Sequence, residues 1–130
     1  MYSAMNLEQA RFNMIEQQIR PWEVLDAHVL ELLSVVKRED FVPAPHKALA
    51  FADMEIPLPD GQTMLAPRVE ARMLQDLAVQ QHERVLEIGA GSGYMAALLA
   101  HRAQRVISLE IKPALAQLAR ANLQKASITN

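Results

Sequence analysis

Apolar side chains recur every three to four positions over most of the chain, which is the spacing of one face of an α-helix. Two short runs, residues 84–88 and 105–110, have instead the length and the β-branched content of strands. The spacing predicts helices at about residues 6–20, 26–36, 67–77, 94–102 and 113–125. Strand, helix, strand and helix thus follow one another after residue 83, which predicts a parallel pair of strands joined by a crossover helix.

The first predicted helix has both a start signal and a stop signal. Asn6 is followed three residues later by Gln9, as in a capping box, and Pro21 disfavours helical geometry for the residue before it. The side chains that this helix would turn toward the core are Leu7, Phe12, Ile15 and Ile19. The helix is therefore expected to end at residue 20.

The next two helices are predicted from a cap, a proline and their apolar positions. Asp26 starts the second helix, and Pro67 suits the first turn of the third. Their expected core residues are Val29, Leu30, Leu33 and Val36 in the second and Val69, Met73, Leu74 and Leu77 in the third. The charged run at residues 37–40 is interpreted as a solvent-exposed helix end.

The segment from residue 43 to residue 67 has a different character, because five of the seven prolines fall in it. One short helical stretch, residues 47–52, is predicted there, and Pro59-Asp60-Gly61 has the composition of a tight turn. A long irregular segment inside a small domain is more often functional than a plain connection. Its apolar side chains indicate that it packs rather than remaining disordered.

Composition narrows the class of protein. The 130 residues are 51% hydrophobic and 22% charged, which is typical of one globular domain. A net charge of −2 argues against a nucleic-acid or membrane-surface partner, and the absence of cysteine excludes disulfide scaffolds and thiolate metal sites. No apolar run has membrane-spanning length and residues 1–13 lack a signal-peptide pattern, so a cytoplasmic location is expected.

The chemistry is predicted at the turn between the first strand and the following helix. Gly89, Gly91 and Gly93 allow a tight turn whose backbone can lie against a ligand, and Glu110 ends the next strand, where a carboxylate can bind ribose hydroxyls. The spacing is not that of the nicotinamide dinucleotide motif, although an oxidoreductase remains an alternative. Glu87 would repel a pyrophosphate but attract a cationic amino-acid group, which favours S-adenosylmethionine.

Metal chemistry is not predicted. The four histidines lie at positions 28, 46, 82 and 101, with no pair at helical ligand spacing and no cysteine to complete a site. Surface or helix-end positions are the expected role for them.

Residues 85–94, Val-Leu-Glu-Ile-Gly-Ala-Gly-Ser-Gly-Tyr, resemble motif I of the class I S-adenosylmethionine-dependent methyltransferases. The resemblance extends to one family, the protein-L-isoaspartate O-methyltransferases, through blocks in the same order along the chain. These blocks are residues 18–26, 37–43, 50–53, 56–59 and 61–67. The implied fold is α/β: N-terminal helices followed by the first βαβα of a Rossmann-like sheet.

The resemblance also implies site residues, a cofactor and a substrate. The cofactor S-adenosylmethionine would be bound by Glu87, Gly89, Gly91, Ser92, Gly93 and Glu110. Thr63, in the loop that would close over the sulfonium and the acceptor, is the candidate catalytic residue. The implied reaction methylates the carboxylate of isoaspartyl residues in damaged proteins or peptides.

One position departs from the family pattern. The family's loop block carries a serine where this chain has Leu65, and leucine neither donates nor accepts a hydrogen bond. Three alternatives follow: Thr63 supplies the polar group, the acceptor differs, or the chain is a catalytically impaired homologue that binds the cofactor.

The length suggests the organisation of the chain. Residues 1–66 are interpreted as a helical and proline-rich segment, and residues 67–130 as the first part of a cofactor-binding fold, within one domain. The implied methyltransferase sheet has more strands than the two predicted after residue 83, so we expect a truncated chain. Such a sheet exposes strand edges and an apolar face, which predicts pairing with another copy or a further segment.

Overall fold

The computed structural model describes residues 4–130, and residues 1–3, on which part of the signal-peptide expectation depends, lie outside the described residues. The helices in the described range are α1 (Ala4–Met14), α2 (Ala27–Val35), α3 (Pro67–Leu77), α4 (Tyr94–Arg102) and α5 (Pro113–Lys125). The strands are β1 (Ile56–Pro57), β2 (Thr63–Met64), β3 (Arg84–Ile88) and β4 (Arg105–Leu109). The predicted order of strand, helix, strand and helix after residue 83 is confirmed.

The first helical segment differs from the prediction at both ends. The helix begins at Ala4, so Asn6 lies inside it rather than capping it. After Met14 the hydrogen bonds widen to a π-helical turn at Ile15–Ile19, and a 3₁₀ turn at Arg20–Trp22 follows. Pro21 does not end the segment at residue 20, because the first turn of a short helix does not need the proline's missing N–H. Phe12, expected in the core, is 58% exposed.

Helix α2 begins as predicted, but only the outer two residues of the charged run after it, Lys37 and Asp40, are exposed. The Asp26 side chain accepts hydrogen bonds from the His28 and Val29 amides, and Val29 and Leu33 are buried. Residues Arg38–Phe41 form a 3₁₀ turn in which Arg38 is 1% exposed and Glu39 is 9% exposed. The interpretation as a solvated helix end was wrong for Arg38 and Glu39, since Arg38 pairs with Glu70 and Glu39 pairs with Arg11.

The proline-rich segment is ordered by short turns and one small hairpin. A 3₁₀ segment at Ala44–Leu49 replaces the helix predicted for residues 47–52. Strands β1 and β2 pair antiparallel, with Ile56 opposite Met64. Between them Asp60 and Gly61 have φ values of 60° and 71°, a conformation that glycine and, less often, aspartate adopt readily.

Helix α3 has the predicted bounds but a different buried face. Met73 is 44% exposed and Leu77 is 56% exposed, whereas Glu70, Ala71 and Leu74 are buried. The apolar pattern predicts the helix, but it does not show that Glu70 lies on the inner face, where it pairs with the buried Arg38.

Strands β3 and β4 are parallel, with Leu86 opposite Ile107 and Ile88 opposite Leu109. Val85 and Val106, which point to one side of this pair, pack against the core cluster. The other side, which we call the open sheet face, consists of Leu86, Ile88, Ile107 and Leu109, and each of the four is at least half exposed. The predicted uncovered apolar face is therefore present in the structure.

The core is one cluster of buried side chains that draws on both parts of the chain, from Met14 in α1 to Leu115 in α5. Helix α3 packs against α2, α4 and the π-helical turn, and so connects the N-terminal helices to the β3–α4–β4 unit. The division of the chain after residue 66 stays a prediction.

Candidate functional site

The glycine turn leaves β3 and enters α4 with three residues in the left-handed region. Gly89, Gly91 and Gly93 have φ values of 91°, 54° and 89°. A side chain at these positions would strain the backbone, which explains why the sequence has glycine there. The Gly89 N–H donates to the Leu109 carbonyl at 2.7 Å, so the turn is anchored to the neighbouring strand.

Glu110 lies directly against this turn, as the sequence predicts. Its Oε1 accepts a hydrogen bond from the Gly91 N–H at 3.0 Å, and its Oε2 accepts one from the Lys112 N–H at 3.1 Å. The bond from Gly91, followed by that from Lys112, holds the pKa of the Glu110 carboxyl below its usual range. The carboxylate is thus ionised at neutral pH and retains lone pairs for a ligand.

The cavity that we call the main cavity, because it brings together most of the predicted site residues, has a volume of about 380 Å³. It lies between the glycine turn, β3, α3 and the loop that carries β2. It brings together five of the sequence-predicted site residues, Thr63, Glu87, Gly89, Gly91 and Ser92. The rest of its lining is mostly aliphatic, with Leu58, Leu65 and Met95 among the contributors. A largely apolar pocket with a few convergent polar groups is the usual form of a small-molecule site.

A second space, the outer cavity, shares Thr63, Gly89 and Gly91 with the main cavity and has a volume of about 270 Å³. It adds Gln62 from the loop and Glu110 and Lys112 from the end of β4. The loop predicted to close over a cofactor therefore does lie beside the glycine turn and Glu110.

Glu87 supplies negative charge inside the main cavity. Its Oε1 accepts a hydrogen bond of 2.7 Å from the Ser108 hydroxyl on β4. Burial raises the pKa of the Glu87 carboxyl, the Ser108 hydrogen bond lowers it, and the nearby charges of Glu70 and Glu110 raise it further, with a net rise. A cation bound beside Glu87 would relieve this repulsion between carboxylates.

The charge of the main cavity favours one class of ligand. Its lining includes the carboxylates Glu70 and Glu87, and no lysine, arginine or histidine is among the described residues that line it. Arg38 neutralises Glu70 from behind the lining, whereas Glu87 accepts its hydrogen bond from a neutral hydroxyl. A pyrophosphate would therefore face the charge of Glu87, whereas a ligand with a positively charged group would be attracted. The arrangement suits S-adenosylmethionine, which carries an ammonium and a sulfonium, better than a nicotinamide dinucleotide.

Two predicted cofactor residues have roles in packing that the structure shows directly. Gly93 lies outside the linings of both cavities, and a Cβ there would come within 3.1 Å of the Ala119 carbonyl oxygen in α5. Ser92 is buried and its carbonyl accepts a hydrogen bond from the Asn122 side chain at 2.9 Å. Their binding of a cofactor stays a prediction.

Leu65 and Thr63 both line the main cavity from the same loop. Leu65, at the family's serine position, adds an apolar surface to the lining, and its carbonyl is bonded from behind by the Arg38 side chain at 2.9 Å. Thr63 is more exposed and borders both cavities. Thr63 therefore stands at the boundary between the two cavities.

Sequence reasoning missed three residues at the back of the cavity: Arg38, Glu70 and Tyr94. Glu70 and Tyr94 line the cavity, and the buried Arg38 bonds to Glu70 and lies over the Tyr94 ring. No local pattern predicts a pair separated by thirty-two positions. The family-like block at residues 37–43 was the available signal, because it indicated an ordered segment there.

Two general features of the described residues complete the site. Their histidine, aspartate and glutamate side chains form no group of three or more that could hold a metal ion. No helix among them is both long and apolar enough to span a membrane.

Comparison with known proteins identifies the family. The family model described as Protein-L-isoaspartate(D-aspartate) O-methyltransferase matches residues 9–130. Curated relatives with the name protein-L-isoaspartate O-methyltransferase include one from Methanoculleus marisnigri, 43% identical over 92% of this chain and 54% of its own length. Another relative, from Aeropyrum pernix, is 45% identical over 90% of this chain and 46% of its own length. The chain thus spans about half the length of these relatives.

Solved structures agree on the fold. A Plasmodium falciparum chain, described as a protein-L-isoaspartate O-methyltransferase in complex with S-adenosyl-L-homocysteine, superposes with a TM-score of 0.73 at 20% identity. The match covers 92% of this chain and 55% of that one. A second structure with the name protein-L-isoaspartate O-methyltransferase has a TM-score of 0.74 at 22% identity. The methyltransferase-like α/β fold predicted from the sequence is confirmed.

Proposed function

Because the chain belongs to the protein-L-isoaspartate(D-aspartate) O-methyltransferase family, we propose that it acts in S-adenosylmethionine-dependent methylation of isoaspartyl carboxylates in proteins or peptides. The observation that carries the proposal is the main cavity, where the glycine turn, Glu87 and the Thr63 loop converge. Family membership supports the substrate class, and the negative charge of the cavity supports the cofactor.

In this proposal different residues bind different parts of the cofactor. Glu87, half-buried beside the glycine turn, attracts the ammonium group of the amino-acid part. Glu110 faces the outer cavity with both oxygens already oriented by backbone N–H groups, and it accepts hydrogen bonds from the ribose. The left-handed glycines keep side chains away from the space between them.

S-adenosylmethionine would supply a methyl group on a positively charged sulfur, and its transfer to a carboxylate oxygen leaves a methyl ester and a neutral thioether. A carboxylate is already a nucleophile, so the protein does not need a strong base. Leu65 and the other aliphatic residues exclude water from the acceptor, and Thr63 provides a hydroxyl at the boundary of the two cavities. Alignment and exclusion of water are thus the contributions of this chain.

Ligand binding is the first test. Isothermal titration should show that the chain binds S-adenosylhomocysteine and does not bind NADH. The Glu110→Ala variant should weaken binding by about 10-fold to 150-fold, because a charge-assisted hydrogen bond contributes about 1.5–3 kcal/mol. Glu55→Ala, an exposed carboxylate in neither cavity, is the matched control and should bind as the wild type does.

The activity is tested by transfer of a radiolabelled methyl group to an isoaspartyl peptide. The same peptide with ordinary aspartate is the control substrate and should remain unlabelled. Cofactor binding without labelling of either peptide would contradict the proposed reaction for this chain. Failure to bind S-adenosylhomocysteine would contradict the proposed cofactor as well.

Three further expectations belong to this proposal. They are a cytoplasmic location, an isoaspartyl protein or peptide as the partner in the reaction, and pairing of the open sheet face and its edges with another copy or a further segment.

A further inference from the structure

The guanidinium of Arg38 contacts three residues that line the main cavity, Leu65, Glu70 and Tyr94. Its Nε donates to the Ala50 carbonyl at 2.8 Å, its Nη2 donates to the Leu65 carbonyl at 2.9 Å, and its Nη1 donates to Glu70. Its Cζ also lies 5.1 Å from the centre of the Tyr94 ring. One side chain, 1% exposed, therefore contacts the loop, helix α3 and the first residue of helix α4.

These contacts connect the two sides of the proposed reaction. Leu65 belongs to the loop that also carries Thr63, on the acceptor side of the cavity. Tyr94 follows the glycine turn directly, on the cofactor side, and it is buried. Because a methyl transfer depends on the alignment of donor and acceptor, a group that fixes the distance between these sides affects its rate.

Glu70 makes the arrangement stable. A buried guanidinium needs an opposite charge and hydrogen-bond acceptors for its N–H groups. Glu70 provides the charge, and the two carbonyls provide acceptors that only a forked, planar donor group can reach together. Burial raises the pKa of Glu70 and the charge of Arg38 lowers it, with a net rise, so the carboxylate depends on this one partner.

We propose that Arg38 is a positioning residue for methyl transfer: its fork holds the Thr63–Leu65 segment at a set distance from the glycine turn. This inference rests on the proposed function. Arg38 itself lines neither cavity, so it acts through the Leu65 backbone, Glu70 and Tyr94 rather than by contact with the ligands.

The test compares Arg38→Lys, Arg38→Met and the control Leu33→Ala. Lysine keeps the positive charge beside Glu70 but lacks the planar guanidinium that reaches several acceptors at once. Methionine removes both the charge and the hydrogen-bond donors. Leu33 is buried in α2 and lines neither cavity, and its truncation is expected to lower stability through lost packing alone. For each variant we would measure stability, affinity for S-adenosylhomocysteine, and kcat and KM for an isoaspartyl peptide. Hydrogen exchange of the amides at residues 62–66 is measured as well.

Both Arg38 variants should lower kcat by about 10-fold or more, since small misplacement of aligned groups is costly. Affinity for S-adenosylhomocysteine should change less than 3-fold, because the glycine turn and Glu110 keep their own hydrogen bonds. Amide exchange at residues 62–66 should rise in both variants. In Leu33→Ala, kcat and this exchange should stay within about 2-fold of the wild type at a temperature where each variant is folded.

Wild-type kcat in Arg38→Lys, or equal loss of kcat in Leu33→Ala and Arg38→Met, would overturn the proposal. The exchange measurement separates this result from failure of the proposed function. If the wild type neither binds the cofactor nor methylates the peptide, the proposed function is wrong. If amide exchange at residues 62–66 is also unchanged in both Arg38 variants, Arg38 does not hold the Thr63–Leu65 segment in place.

Discussion

Glu87 shows how the surroundings of one side chain determine its chemistry. It occupies an ordinary inward position on β3, yet burial and two neighbouring carboxylates raise its pKa. A structural carboxylate would be expected to have a strong cationic partner, whereas Glu87 accepts a hydrogen bond from the neutral Ser108 hydroxyl. The missing positive charge is what a cationic ligand would provide.

A pH dependence of ligand binding follows from this environment. The ionised form of Glu87 attracts the ligand's ammonium group, so affinity for S-adenosylhomocysteine should fall as the pH drops through the raised pKa of Glu87. Binding should also release protons near that pKa, because the bound cation favours the carboxylate. Isothermal titration in buffers with different ionisation enthalpies measures both effects.

Glu87→Gln is the variant that assigns the dependence to this residue. It should bind S-adenosylhomocysteine more weakly than the wild type at neutral pH and with a flatter pH profile. Glu110, Glu70 and Ser108 are unchanged in it, so a profile as steep as that of the wild type would assign the titration to another group.

At the scale of single elements, the start of α2 depends on one carboxylate. The hydrogen bond from the Val29 amide, with that from His28, lowers the pKa of Asp26, so the charged form is stabilised in the folded chain. This contribution is present above the unfolded pKa of aspartate, about 3.9, and is lost as the pH falls through the lower folded value. Asp26→Ala should lower stability by about 1 kcal/mol near neutral pH.

Denaturant unfolding of both proteins at pH 7 and below pH 3 measures the effect. The difference between wild type and Asp26→Ala should be smaller at the lower pH, because the wild-type carboxylate is then partly protonated. Asp76→Ala, an exposed position on α3, serves as the matched control. A difference that stays constant across this range would show that Asp26 does not act as a charged cap.

The junction between α4 and α5 depends on Gly93. Its φ of 89° and the 3.1 Å approach of a Cβ to the Ala119 carbonyl both oppose any side chain. Gly93→Ala should therefore destabilise the fold by about 1–3 kcal/mol. Gly89 has a similar φ of 91°, but a Cβ there would meet no atom within 4 Å. Gly89→Ala should therefore lower the melting temperature less than Gly93→Ala does.

At the scale of the whole molecule, the open sheet face is the most unusual feature. Leu86, Ile88, Ile107 and Leu109 expose adjacent apolar side chains on two paired strands. Contiguous apolar surface of this kind on a chain in water favours association. We expect the 130-residue chain to self-associate in sedimentation experiments at micromolar concentration.

The double variant Ile88→Lys with Ile107→Glu tests this expectation. Both positions are at least half exposed, so the fold should keep its stability. Ile88 also lines the main cavity, so this variant is used for sedimentation and not for ligand binding. The variant should sediment as a monomer, whereas Phe12→Lys, an exposed apolar site on α1, should associate as the wild type does. A wild-type monomer at the same concentration would contradict the expectation.

The sequence by itself determined the local features of this protein. The βαβ order, the bounds of α3, α4 and α5, the cap at Asp26, the glycine turn and the place of Glu110 all follow from patterns within a few residues or from ordered family blocks. The physical reason is that helix and strand periodicity, capping and left-handed turns depend on neighbouring residues alone. The uncovered apolar face could be predicted too, from a sheet of only two strands with apolar residues on both sides.

The tertiary structure alone decided which charges are buried and what they connect. The run at residues 37–40 resembles a solvated helix end, yet Arg38 bonds to Glu70 and Glu39 bonds to Arg11. A lone charge is too costly to bury, so its burial depends on a partner that only folding brings near. The same pairing turned Glu70 inward on α3 and left Met73 exposed, which no periodicity in the sequence could show.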